Sequence, residues 1–265
     1  MIAERVVRAP DGASVGIRSA GTRGDPIIFV HGVGSTAAIW DYQLDALSGR
    51  FCCYAIELRG NGALPDPRRE AITRAGFVQD VLTAADEVGL ERFDFVGCSL
   101  GGVVGFELWR RAPSRVRSFA FVGSFAAYPN AQQSVDAILA SVEAAGDMRE
   151  FAKARAARAV PADALPQRFR ETVDQYACKS IPSYFAATKA TWTGDYREDL
   201  ATITVPTLVV CGELDAIVPL ALSEQIARGI PGAELAVIAG AGHVVNADKP
   251  REFNAALEKF LGSRA

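Results

Sequence analysis

Phe93-Asp94-Phe95-Val96-Gly97-Cys98-Ser99-Leu100-Gly101-Gly102 is the stretch on which the architecture of this 265-residue chain turns. Its first four residues are largely apolar and suit a short buried strand, and residues 100–110 carry helical spacing. Between them lies Gly97-Cys98-Ser99-Leu100-Gly101, a G-x-S-x-G turn set between strand and helix. A turn so abrupt strains its central residue and leaves no room for side chains at the flanking positions, which accounts for the two glycines. The context predicts that Ser99 stands at the carboxyl edge of a sheet, where open α/β sheets bind ligands.

Outward from this unit the same rhythm repeats. Strand-like runs at 27–30, 51–56 and 116–122 alternate with helical patterns at 38–47 and 71–88. The alternation resumes with strands at 207–211 and 234–238 and helices at 220–228 and 250–261. Runs with apolar residues on successive positions suit strands covered on both faces, and strand–helix alternation implies parallel pairing. Ahead of these, alternating segments at 3–8 and 14–19 flank Asp11-Gly12, a tight-hairpin dipeptide. The expected fold class is α/β, a mostly parallel central sheet covered by helices on both faces.

From 125 to 199 the rhythm stops. That stretch is rich in Ala, Arg and Glu, has no strand-like run, and is divided by Pro161, Pro166 and Pro182. It is expected to form a helical cap inserted after the sixth strand, on a core domain made of 1–124 and 200–265. Phe125, Tyr128, Tyr184, Phe185, Trp192 and Tyr196 are candidates for the floor of that cap, half or more of them as ordinary packing. Arg149, Lys153, Arg155, Arg158, Arg168 and Arg170 read first as a solvated helical face, and second as an attractor for a carboxylate-bearing substrate.

A net charge of -3 gives no reason to expect nucleic acid as a partner. The five cysteines form no CxxC pair and read as reduced thiols, three of them in apolar runs. Met1-Ile2-Ala3-Glu4-Arg5 lacks the apolar stretch of a signal peptide. No run approaches the roughly 18 apolar residues that cross a bilayer. The expectation is a cytoplasmic protein without a membrane partner; oligomeric state is not legible.

A serine hydroxyl needs a base to become a nucleophile, and histidine is the usual one. The chain has two histidines. His243, in Gly240-Ala241-Gly242-His243 after the last strand, is favoured as the base; His31, in His31-Gly32-Val33-Gly34, is expected to brace its loop. The carboxylate that orients the histidine should follow the strand at 207–211, where Glu213 and Asp215 are available. Asp215 lies at the loop apex before the next helix, and Glu213 is the fallback. Backbone N–H groups of Val33 and Leu100 are the expected oxyanion donors.

On the residues Phe29-Val30-His31-Gly32, the turn at 97–101, residues 206–215 with Val218-Pro219, and Gly240 to His243, the chain resembles an α/β-hydrolase. The likeness is to the capped esterase, lactonase and haloperoxidase-like group and spans nearly the whole length. The motif order and Arg111-Ala112-Pro113-Ser114-Arg115-Val116 are especially similar to enol-lactonases such as 3-oxoadipate enol-lactonase. One departure stands out: the group's Asp-x-Arg-Gly-His-Gly-x-Ser reads Glu57-Leu58-Arg59-Gly60-Asn61-Gly62-Ala63-Leu64 here. The resemblance implies a Ser-His-Asp hydrolase of a small-molecule ester or lactone, needing no metal and no organic cofactor. Alternatives on the same fold are a carbon–carbon bond hydrolase of a vinylogous ketone or dienoate, a peroxide-dependent perhydrolase, and a weakly catalytic, receptor-like ligand binder.

Overall fold

A computed structural model describes residues 1–164 and 166–263. Among the described residues eight strands form one sheet: β1 (Ala3–Arg8), β2 (Ser14–Ala20), β3 (Pro26–Val30), β4 (Cys52–Glu57), β5 (Phe93–Cys98), β6 (Val116–Val122), β7 (Thr207–Gly212) and β8 (Glu234–Ile238). Their order is β1-β2-β4-β3-β5-β6-β7-β8. β1 and β2 make the antiparallel hairpin expected around Asp11-Gly12, β2 joins β4 antiparallel, and every later pairing is parallel.

Period-two alternation feeds two apolar layers, one on each face of the sheet. In β3, Ile28 and Val30 enter one layer while Ile27 and Phe29 enter the other. In β5, Phe93 and Phe95 face one way, Val96 and Cys98 the other. The helices α1 (Asp41–Leu47), α2 (Arg74–Glu87), α3 (Leu100–Arg111), α8 (Leu220–Gly229), α9 (Val245–Asp248) and α10 (Pro250–Gly262) accompany the strands.

Two helix starts differ from the sequence reading. The helix expected from residue 38 opens as a 3-10 turn, Ala37–Trp40, before α1. The one expected from residue 71 begins at Arg74, because extended Thr73 caps it and its hydroxyl accepts from the Gly76 N–H at 3.0 Å.

Among the described residues, four α-helices lie between β6 and β7: α4 (Ala131–Ala145), α5 (Met148–Ala159), α6 (Pro166–Ala177) and α7 (Ile181–Trp192). Gly146 ends α4 in the left-handed region, and the Asp147 carboxylate caps α5 by accepting from the N–H groups of Arg149 and Glu150. The two ends of the segment meet: Ala127 bridges to Asp195, and the Tyr196 N–H donates to the Ala126 carbonyl at 2.8 Å. Among the described residues no helix is long and apolar enough to cross a membrane.

The register matters for chemistry. Cys98 lies beside Val122, Val122 beside Val210, and Gly212 beside Ile238. The loops that follow β5, β6, β7 and β8 therefore leave the sheet side by side.

Candidate active site

Ser99 adopts φ 53° and ψ −108°, a region that side-chain-bearing residues seldom enter. Its neighbours explain how. A Cβ at Gly97 would lie 2.4 Å from the Gly101 carbonyl, and one at Gly101 would lie 2.2 Å from the Val30 carbonyl oxygen. The strand, the turn and α3 can approach this closely only without those side chains. The Ser99 N–H donates to the Val122 carbonyl at 2.9 Å, and its own carbonyl accepts from the Ser124 hydroxyl at 3.2 Å. The nucleophile candidate is thus fixed from both sides of its peptide.

Cys98, one residue earlier, is fully buried, and burial with the negative charges of Asp215 and Asp248 pushes its thiol well above the usual range. It is a packed hydrophobe and no competitor for the serine.

Asp215 follows β7. Its Oδ2 lies 2.8 Å from Nδ1 of His243, while Oδ1 accepts from the N–H groups of Ile217 at 2.8 Å and Val218 at 2.9 Å. Burial alone would raise this carboxyl, but the adjacent imidazole and the two N–H donors outweigh it and hold Asp215 below its ordinary value. Glu213, the fallback, is exposed and accepts from the Gly240 N–H instead, so it shapes the histidine loop without touching the ring.

Contacts from α5, α6 and α9 also fix that loop. The Gly242 N–H donates to Asp248 Oδ2 at 3.0 Å, and the His243 N–H donates to the carbonyl of Ala159, the last residue of α5, at 3.2 Å. Arg168 of α6 pairs with Asp248 through Oδ1 at 3.1 Å. Gly123, after β6, closes the group from below: a Cβ there would sit 3.3 Å from His243 Nδ1 and 3.4 Å from Asp215 Oδ2.

The structure therefore brings His243 and Asp215 into contact beside the residue that follows Val122, and Ser99 is hydrogen-bonded to Val122 itself. Among the described residues no hydrogen bond joins the Ser99 hydroxyl to the imidazole. On the other side of Ser99 runs the loop after β3: a Cβ at Gly32 would be 3.2 Å from the serine Cβ and 3.8 Å from Oγ. Val33 and Leu100 flank the serine, and among the described residues neither N–H donates to a carbonyl. For Leu100 this follows from its place as first residue of α3.

His31 braces its loop, as its position suggested. It is fully buried, its Nδ1 lies 2.9 Å from the Gly32 carbonyl oxygen, and its Nε2 lies 3.2 Å from the Leu58 nitrogen. The same Nε2 lies 3.1 Å from Glu57 Oε1, so the ring ties the loop after β3 to the end of β4.

Three features escaped sequence reasoning. Lys179, in the α6–α7 turn, is buried and donates to the Ser35 carbonyl at 2.9 Å and to the Asn61 side-chain oxygen. That contact supplies a role for the unusual Asn61, whose amide also donates to the carbonyls of Leu58 and Arg59. Burial lowers the Lys179 ammonium to about 8, with Glu57 working against the shift. Tyr176 packs on the loop after β3, where a Cβ at Gly34 would fall 2.1 Å from its ring. Asp248 links that same four-helix segment to the histidine loop. No local motif marks any of the three, because each depends on contacts between distant segments.

Several candidate side chains are corrected. Tyr196 stacks on Phe106 and under Arg110, with its hydroxyl 3.2 Å from Glu107, and serves packing. Phe185 lines a separate cavity of about 940 Å³ that contains none of Ser99, Asp215 or His243. Phe125, Tyr128 and Trp192 form one mutually touching cluster, and the Tyr128 hydroxyl donates to the Ile217 carbonyl near Asp215. The basic stretch is not one solvated face: Arg149 and Lys153 are exposed and ion-paired, whereas Arg155 and Arg168 are buried. Among the described residues no group of three or more His, Cys, Asp or Glu could hold a metal ion.

The comparison with known proteins follows the same lines. The model of the alpha/beta hydrolase family matches residues 27–256. The chain belongs to that family. It is 29% identical to "Putative carbamate hydrolase RutD" of Rhizobium rhizogenes over 90% of this chain and 93% of that protein. A hydrolase from Pseudomonas aeruginosa is 31% identical with a TM-score of 0.90, each chain covered to 98%. The enol-lactonase from Burkholderia xenovorans shares the fold at TM-score 0.89 and 24% identity, with 97% of this chain and 100% of that one covered. This alpha/beta hydrolase is therefore a hydrolytic enzyme by family as well as by architecture.

Proposed function

We propose that this alpha/beta hydrolase cleaves a carboxylic ester or lactone of a small molecule through an acyl-enzyme on Ser99, with His243 as general base and Asp215 as its orienting carboxylate. The observation that carries the reading is the 2.8 Å His243–Asp215 contact at the sheet edge where Ser99 occupies a positive-φ turn. In this reading the segment 125–199 is a cap on a core of 1–124 and 200–265, and it excludes water from the reaction.

His243 Nε2 takes the Ser99 proton as Oγ attacks the carbonyl carbon, and the resulting oxyanion accepts from the N–H groups of Val33 and Leu100. Collapse breaks the carbon–oxygen bond of the ester, and the departing alkoxide takes the proton from His243. A lactone leaves its alkoxide tethered to the acyl group. Water then gives a proton to His243, attacks the acyl carbon, and releases the acid and the Ser99 hydroxyl. Nucleophile–base hydrogen bonds of this type are often long until substrate is bound, and Ser99 and His243 are expected to close that gap then.

A panel of para-nitrophenyl esters and small lactones, run on the wild type and on Ser99→Ala, tests this. Hydrolysis of at least one class, lost by more than about 10³-fold in Ser99→Ala at unchanged melting temperature, is the expected outcome. Ser99→Ala with wild-type turnover, or a wild type that a fluorophosphonate fails to label, sinks the nucleophile assignment.

A further inference from the structure

Three arginines are buried among the described residues, and two are neutralised. Arg59 pairs with Asp80 and Asp11, and Arg168 pairs with Asp248. The third is Arg155 on α5, 8% exposed and without an ion pair to any described carboxylate. Its Nε is shut off from solvent and has no hydrogen-bond acceptor. The groups that interact with it are the phenols of Tyr176, Tyr184 and Tyr128, neutral at pH 7. A buried guanidinium without a counter-ion is costly, and its planar fork matches a carboxylate in two hydrogen bonds.

Its location ties it to the reaction centre. Arg155 and Ala159 are one turn apart on the buried face of α5, and the Ala159 carbonyl holds the His243 N–H. Tyr176 packs against the loop after β3, and Tyr128 bonds the Ile217 carbonyl two residues beyond Asp215. Arg155 thus lies among groups, two tyrosine side chains and the Ala159 carbonyl, that touch three of the loops around Ser99. It also lines, with Phe151 and Arg158, a cavity of about 210 Å³ between α4 and α5.

We propose that Arg155 binds a carboxylate carried by the substrate, so that the preferred substrates are small esters or lactones bearing a carboxylate a few atoms from the scissile carbonyl. This rests on the Ser99 reading above and adds the substrate class to it.

The test compares mono-(para-nitrophenyl) glutarate with para-nitrophenyl hexanoate, a neutral ester of similar length. Wild-type kcat/KM is expected to favour the anionic ester by about tenfold or more, through KM, and the preference should weaken with added salt. Arg155→Met should lower kcat/KM for the anionic ester about 30-fold more than for the neutral one, and Arg155→Lys should keep most of the preference. A wild type indifferent to the carboxylate overturns the proposal whether or not the variants fold, and so does an equal loss on both esters in Arg155→Met. Calorimetric binding of monomethyl glutarate to Ser99→Ala, compared with the double variant Ser99→Ala/Arg155→Met, reads the subsite without turnover. Binding to Ser99→Ala that is lost in the double variant, while the wild type cleaves no ester, would remove the hydrolytic reading and leave the anion site standing; binding undiminished in the double variant would overturn the site.

Discussion

Replacing Asp215 by asparagine keeps the shape of the side chain and reverses the polarity of one of its two contacts. Oδ1 accepts two backbone N–H groups, from Ile217 and Val218, at 2.8 and 2.9 Å. The asparagine must keep its oxygen there, because the flipped amide would aim N–H at N–H and lose two hydrogen bonds of about 1 kcal/mol each. Its NH2 group then faces His243 Nδ1, which can accept only by giving up its proton. The imidazole shifts its proton to Nε2 and presents a donor to Ser99 where a base is required. For a triad of this kind the wrong tautomer lowers kcat by about 10⁴, or about 5.4 kcal/mol in the barrier. Steady-state kinetics on the best ester of the panel, with the melting temperature as a control for folding, measures it. The pH dependence of stability supplies a second reading. Asp215 is held below its ordinary 3.8 in the fold, so it stabilises above that value, and the contribution disappears as pH falls through the folded value. The stability difference between wild type and Asp215→Asn should therefore close below about pH 4. A variant within tenfold of wild-type kcat would refute the assignment of Asp215 and the geometry argued from it.

Two further predictions concern the loops beside the site. Arg59 and Asp80 are both fully buried and paired at 2.8 Å, so Asp80→Ala leaves a buried guanidinium with only Asp11 and should destabilise by about 3–5 kcal/mol. Chemical denaturation reads this directly, and a loss below about 1 kcal/mol would contradict it. Lys179 is lowered to about 8 in the fold from 10.5, so between those values the unfolded chain holds a proton that the folded chain has released, and stability rises with pH. Relative to Lys179→Met, the wild type should gain about 2 kcal/mol between pH 7 and pH 10, and a flat difference would show that the ammonium is not desolvated as described.

The core was legible wherever local pattern and tertiary role coincide. β6 runs Val116–Val122, the span its apolar run marks out, because a strand covered on both faces is largely apolar, whereas β8, Glu234–Ile238, is an edge strand with Leu235 and Val237 exposed and was found by its short apolar run alone. The Ser99 turn could be read because Gly97 is demanded by the Gly101 carbonyl within the same motif, although the contact that demands Gly101, with Val30 of β3, lies outside it. Asp215 was separable from Glu213 only by its place at the loop apex, and the hydrogen bonds to Ile217 and Val218 are why that place matters. What could not be read lies between segments far apart in the chain. Arg155 and Arg168 occupy one basic stretch and are alike in sequence, yet only Arg168 meets an acid, 80 residues away. Lys179 is one residue from exposed Cys178, and nothing local says that its amine reaches Ser35 and Asn61.

The last carbonyl of α5 and the Arg168–Asp248 pair give the stretch between β6 and β7 a grip on the histidine loop. Chimeras that transplant this stretch from another alpha/beta hydrolase would exchange more than the lining of a binding chamber. They would also remove two of the struts that aim the imidazole, so altered selectivity and slower turnover would arrive together. Selectivity could be diversified at lower risk by varying inward-facing residues of α4 and α7 while keeping Ala159, Arg168 and Lys179.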